Sequence, residues 1–151
     1  MKRIETPALK EKAAKVKLVV FDVDGIMTDG SLHFLPDGRE IKMFNTLDGL
    51  GLKMLHQAGI ETAIITGRRS PQVEIRAQAL NISYLRQGRD DKLAALEELW
   101  TMTGHSAQDT AYIGDDLPDL SALKAVAFVC TGQIDNPFSR DPADPDTDRP
   151  G

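Results

Sequence analysis

Two aspartates, Asp22 and Asp24, stand one residue apart at the end of the apolar run Leu18-Val19-Val20-Phe21, and Gly25 follows them. A short continuous apolar run reads as a buried parallel strand, and ligands of open α/β sheets gather outside the carboxyl ends of such strands. Side chains alternate along a strand, so the two carboxylates point to the same side and can share one metal ion or one substrate. Gly25 lets the backbone turn sharply behind them. A plain strand ending in an acidic turn is the competing reading, and three later segments weigh against it.

Ile64-Ile65-Thr66-Gly67-Arg68 is a second apolar strand that delivers a hydroxyl and then a glycine to the same sheet edge. A hydroxyl there can donate to a phosphoryl oxygen. Lys92 follows Asp90-Asp91 at the start of a strongly helical segment, where its ammonium can bring a point charge to a bound anion. Read alone, it is an ordinary surface lysine. Ala111-Tyr112-Ile113-Gly114-Asp115-Asp116-Leu117-Pro118-Asp119 is a strand ending in three carboxylates. Hard oxygen ligands of this kind suit magnesium, which keeps several waters and takes a few carboxylates plus phosphate oxygens.

This ordered set, DxD, then Thr, then Lys, then GDDxxD, resembles the haloacid dehalogenase superfamily of phosphotransferases over roughly residues 17 to 130. The segments Asp22–Gly30, Phe44–Gly49 and Ile64–Arg68 narrow it further. They are similar to the small phosphatases that act on 3-deoxy-D-manno-octulosonate 8-phosphate and serve lipopolysaccharide synthesis. Close relatives of that group act on phosphorylated nonulosonates, including sialic-acid precursors, so the resemblance identifies the group more sharply than the substrate.

The resemblance implies a role for each motif residue. Asp22 is the nucleophile that forms an aspartyl-phosphate, and Asp24 is its acid/base partner. The ion, Mg2+, is held by the Asp22 carboxylate, the Asp24 backbone carbonyl and Asp115, with Asp116 and Asp119 adjusting its surroundings. Thr66 and Lys92 complete the phosphate cradle. Asn45, Asp48, Gly67 and Arg68 are the further substrate-binding candidates; Arg68 offers a planar fork suited to carboxylate or phosphate. Phosphoryl transfer asks mainly for positioning and charge neutralisation around an in-line displacement, and these residue types supply both.

Composition fits a small soluble enzyme. The 151 residues are enough for one domain with a sizeable core. A formal charge of −5 and the lack of a dominant basic stripe argue against nucleic acid as the main partner. No apolar run reaches the roughly 18 residues of a membrane span, and the amino terminus has no signal-peptide core; the cytoplasm is the expected compartment. The single cysteine, Cys130, allows no internal disulfide, and His33, His56 and His105 lack metal-ligand spacing.

The elements that must position the site follow from periodicity. A short helix over 7–15 and a strand over 17–22 come first. A hairpin follows from 31 to 44 around Pro36-Asp37-Gly38, as a flap over the site or a pairing surface between subunits. Helices are expected over 48–58, 70–80, 91–102 and 118–125, with strands over 60–65, 82–85, 110–114 and 126–130. Alternating strands and helices imply right-handed crossovers and an α/β, doubly wound parallel sheet, Rossmann-like in its winding. Only one helix and one strand fit between Thr66 and Lys92, so no large cap domain is expected. The family solution for a capless site is a homotetramer.

The domain is therefore placed at residues 1–130. Residues 131–151 hold four of the eight prolines and five aspartates against two arginines, for a local charge of −3. That composition predicts an acidic, disordered tail. The phosphatases it resembles continue instead with a strand and a glycine-rich, arginine-bearing segment that closes over the sugar. The tail keeps open a catalytically weakened assembly or binding subunit as a second reading. The main competitor from another class is a phosphoacceptor signalling domain, but there the acidic pair precedes the phosphoacceptor, whereas Asp115-Asp116 comes last here.

Overall fold

The computed structural model describes residues 6–130. The expected acidic tail at 131–151 lies outside the described residues. Five strands form one parallel sheet: β1 (Leu18–Phe21), β4 (Glu61–Thr66), β5 (Tyr84–Gln87), β6 (Thr110–Ile113) and β7 (Phe128–Cys130), in the order β5-β4-β1-β6-β7. The central β1 pairs with β4 on one side and β6 on the other. A strand buried on both faces needs apolar residues at every position, which is why Leu18-Val19-Val20-Phe21 reads as a continuous run.

Helices α2 (Thr46–Gln57) and α3 (Pro71–Ala79) pack Leu52, Val73 and Ala77 on one face of the sheet, with Val23, Met27 and Ile64. Helices α4 (Lys92–Thr103) and α5 (Leu120–Ala125) pack Ala95, Leu96, Leu99 and Ala122 on the other, with Leu18, Val20, Ala63, Ile65 and Tyr112. Both cores are hydrophobic, and the alternation of Ala63, Ile64 and Ile65 between them is the pleat made visible. From β1 the chain builds β4 and β5 on one side, then returns to build β6 and β7 on the other. The order therefore reverses between β1 and β6, the switch point at which open α/β sheets bind ligands.

Helix α1 (Pro7–Ala14) is capped by Thr6 and exposed throughout. The hairpin is shorter than its pattern: β2 (His33–Phe34) pairs antiparallel with β3 (Glu40–Ile41), and Asp37 holds the turn by accepting from Arg39 N and Nε. No large cap domain is present among the described residues. Several expected boundaries shift: α5 begins at Leu120 rather than 118, behind the 3-10 turn Leu117–Asp119, and β7 begins at Phe128 rather than 126. Helix α2 begins at Thr46 rather than 48, because the Asn45 side chain accepts from Leu47 N and caps it. Strand β5 begins at Tyr84 rather than Ile82, because Asn81 turns left-handed at φ 54° and Ile82 N still donates to the Ala77 carbonyl. No helix of the described residues is long and apolar enough to cross a membrane.

Candidate active site

Asp22 extends β1 by one hydrogen bond, its N–H donating to the Ile113 carbonyl of β6 at 2.9 Å, and its side chain is almost fully buried. Lys92, the first residue of α4, enters the same space. Its ammonium lies 3.1 Å from Asp22 Oδ2 and 2.6 Å from Asp119 Oδ1, with a side chain only 4% exposed. Asp119 sits in the 3-10 turn Leu117–Asp119 and is wholly buried. It accepts from Lys92 and the Tyr112 hydroxyl on Oδ1, and from the N–H groups of Asp115 and Asp116 on Oδ2. Four donors thus fill it. Gly114 permits this approach, since a Cβ there would come 2.6 Å from Asp119 Cγ.

Asp22, Asp115 and Asp119 each bring one carboxylate oxygen within 4.8 Å of the others. Three acids against the one ammonium of Lys92 leave excess negative charge in a largely dry site. Burial, reinforced by Asp119 and opposed by Lys92, pushes the Asp22 carboxyl up to about 6. Burial and the neighbouring Asp119 and Asp116 likewise raise Asp115. Asp115 Oδ1 is buried without a hydrogen-bond partner. An orphaned carboxylate oxygen beside a second, destabilised carboxylate is the donor set of a hard divalent cation. Because Asp119 is already saturated, the open oxygens are those of Asp22 and Asp115.

Asp24 faces a different partner, one that the motif reading missed. Its Oδ1 accepts from Lys42, whose side chain is only 3% exposed and also lies 3.2 Å from Glu40 Oε1. That second contact is an ion pair out of hydrogen-bond alignment, since Glu40 Oε1 finds no hydrogen bond. Glu40 Oε2 accepts from Arg68 at 2.9 Å. A chain Asp24–Lys42–Glu40–Arg68 therefore joins the loop after β1 to β3 and to the loop after β4. The signal was weak because Lys42 is 18 residues from Asp24 and reads as an outward hairpin position.

The other expected residues fall in two groups. Thr66 is buried at the end of β4, and Gly67 follows it so closely against Asp90 that a Cβ would meet Asp90 Oδ1 at 2.5 Å. Asn45 and Asp48 line a neighbouring cleft of about 560 Å³ with Thr28, Asp29 and Phe44. The walls of that cleft include none of Asp22, Lys92 or Asp115. Asp116 stands apart from the acid cluster: it is exposed, and its carboxylate accepts from Leu117 N as the cap of the 3-10 turn. Tyr112, also missed, is buried; burial and Asp119 push its phenol up, which keeps it a donor.

No family model matches the chain. It is 43% identical over 118 residues to the 3-deoxy-D-manno-octulosonate 8-phosphate phosphatase KdsC of Yersinia pestis, covering 78% of this chain and 63% of that protein. A crystal structure of the same phosphatase from Moraxella catarrhalis, in complex with magnesium, phosphate and a KDO molecule, superposes with a TM-score of 0.81 at 46% identity. That match covers 84% of this chain and 73% of the other. The cobalt-bound enzyme of Haemophilus influenzae gives a TM-score of 0.76 at 42% identity, covering 80% and 70%.

The chain belongs to the KDO 8-phosphate phosphatase family. It shares its fold with a haloacid dehalogenase superfamily hydrolase of Legionella pneumophila as well, at a TM-score of 0.77 and 44% identity over 79% of this chain and 65% of the other. The expected superfamily and α/β architecture are thereby established, whereas the chain spans somewhat less than two thirds of the length of the curated KDO 8-phosphate phosphatases it matches.

Proposed function

We propose that this chain is a magnesium-dependent phosphomonoesterase that hydrolyses 3-deoxy-D-manno-octulosonate 8-phosphate to the free sugar acid and inorganic phosphate, as a step of lipopolysaccharide synthesis. The observation that carries this reading is the convergence of Asp22, Lys92 and Asp115 at the switch point, with Asp24 two residues beyond Asp22. Its relatives carry the same activity in their names, and one of them holds KDO, phosphate and magnesium together.

In this mechanism an Asp22 carboxylate oxygen attacks phosphorus as the bond from phosphorus to the sugar oxygen breaks, leaving an aspartyl-phosphate. Asp24 gives a proton to the departing oxygen, then takes one from the water that hydrolyses the intermediate and frees Asp22. Lys92 and the Thr66 hydroxyl take the phosphoryl oxygens. Asp22, Asp115 and the Asp24 backbone carbonyl would hold the ion, which when bound neutralises phosphoryl charge that the carboxylates would otherwise repel. Asp119 fixes Lys92 and the Asp115 loop, and Asp116 supports that loop as a cap. Asn45, Asp48, Gly67 and Arg68 receive the sugar acid. The enzyme works in the cytoplasm as a homotetramer, with the apolar hairpin between subunits.

Phosphate release from KDO 8-phosphate, from a phosphorylated nonulosonate and from 4-nitrophenyl phosphate tests the reading. The expected order is KDO 8-phosphate first, with all activity lost on chelation and restored by Mg2+. Full activity in excess chelator overturns the metal, and preference for the nonulosonate overturns the substrate.

A further inference from the structure

We infer that Lys42, reaching in from the hairpin, is the positioning residue for Asp24, so that the hairpin sets the acid/base group of the site. The inference rests on the reading of Asp24 as the general acid. Its ground is the contact between Lys42 Nζ and Asp24 Oδ1, made by an ammonium whose side chain is 3% exposed. Lysine is almost never buried this fully without a partner, because its charge is strongly hydrated. Apolar side chains would anchor a hairpin at less cost.

The rest of the network fixes where that ammonium stands. Glu40 lies 3.2 Å away on the same arm of the hairpin and is tied to Arg68, while its backbone carbonyl accepts from Gln72 Nε2 at 2.7 Å. Lys42 is thus held on the hairpin side by groups from the loop after β4 and from α3. Asp24 sits beyond the end of β1, where only a turn supports it. With Oδ1 occupied, its carboxylate is fixed in one orientation and Oδ2 is the oxygen that exchanges the proton. As the bond from phosphorus to the sugar oxygen breaks, that proton passes from Oδ2 to the leaving oxygen, and Lys42 keeps all of its own.

A general acid matters where the leaving group is a poor anion and hardly at all where it is a good one. A sugar alkoxide needs the proton; 4-nitrophenolate does not. Single-turnover release of the leaving group, which excludes hydrolysis of the intermediate, therefore separates positioning of Asp24 from binding of phosphate. Lys42→Met is expected to slow sugar release about 10- to 100-fold, part of the 10²–10⁴ that a general acid supplies. Release of 4-nitrophenolate should stay within about threefold of wild type. Lys42→Ala, tested with added propylammonium, is the second variant, and its sugar release should recover with amine concentration.

Equal losses on both substrates, or no loss on either, overturn the inference while wild-type activity leaves the phosphatase reading standing. Failure of propylammonium to restore sugar release in a folded Lys42→Ala protein overturns it too. A wild-type protein that releases neither leaving group overturns the phosphatase reading, and the inference with it.

Discussion

At Asp22 the demands of the proposed catalysis and of folding conflict. A carboxylate that attacks phosphorus must be ionised, yet burial lifts its carboxyl from the ordinary 3.8 to about 6 in the metal-free protein. A raised folded value means that the folded state holds the proton more tightly than the unfolded chain. Ionised Asp22 therefore opposes folding: the cost is absent below about pH 4, grows between 4 and 6 and is complete above 6, at a ceiling of roughly 3 kcal/mol. Asp22→Asn removes it. In chelator at pH 7.5 that variant should be the more stable protein in denaturant, by up to about 3 kcal/mol, with the difference closing as pH falls toward 4 and with no phosphatase activity at any pH. A variant no more stable than wild type at pH 7.5 contradicts the argument. Asp119 differs, because its charge is fully partnered. Asp119→Ala leaves Lys92 with Asp22 alone and unpairs the Tyr112 hydroxyl and the N–H groups of Asp115 and Asp116, and should cost about 3–5 kcal/mol by the same measurement. A loss under 1 kcal/mol would place the strength of that network elsewhere.

What could be read at this scale follows from how local the signal is. Asp22 and Asp115 stand where apolar runs end, so the strand pattern brought them to one edge, while Lys92 joined them only as a member of the ordered set of motifs. Lys42 follows a two-residue strand, and its side-chain direction depends on a turn and on a contact 18 residues away. Asn45 carried a legible signal of its own: Asn45-Thr46-Leu47-Asp48 is a cap followed by an acid at the third helical position.

Elements position the site by bringing loops into contact, and the tightest contact is at Gly25. Its φ is +84°, a region that L side chains occupy at a cost, and a Cβ there would stand 2.3 Å from Asp115 Oδ2. Gly25→Ala thus combines about 1–2 kcal/mol of backbone strain with displacement of the Asp115 carboxylate. The expected result is loss of Mg2+ affinity of about tenfold or more by calorimetry, out of proportion to the fall in stability. Unchanged affinity would mean that Asp115 does not hold the ion. The inner strands β1, β4 and β6 were legible because a two-sided sheet demands mostly apolar runs, and the winding because one crossover direction dominates. The start of β5 was not. There the helix closure at Asn81 and Ile82 consumes residues whose apolar character suggested strand, a competition between two backbone hydrogen-bonding patterns that composition does not resolve.

Among the described residues of the whole molecule, exposed apolar surface is concentrated on the hairpin and the outward face of α2. Phe34 is 59% exposed and Met43 65%, and Leu32, Ile41, Leu47, Leu50 and Met54 are exposed with them. Single exposed apolar side chains are ordinary, but a group of this size on neighbouring elements is what the proposed assembly would bury. The same hairpin carries Lys42 and Glu40 into the site, so subunits packed against its outer face would hold its inner face in place. Phe34→Asp with Met43→Asp puts two charges on that surface without touching either core. Both positions are exposed, so unfolding midpoints should move little. Sedimentation should then show an assembled wild type and a monomeric variant at micromolar concentration. In a single turnover the monomer should lose release of the sugar more than release of 4-nitrophenolate, because only the former needs a proton from a correctly held Asp24. A wild-type monomer, or a variant that sediments as wild type does, would remove the hairpin from assembly.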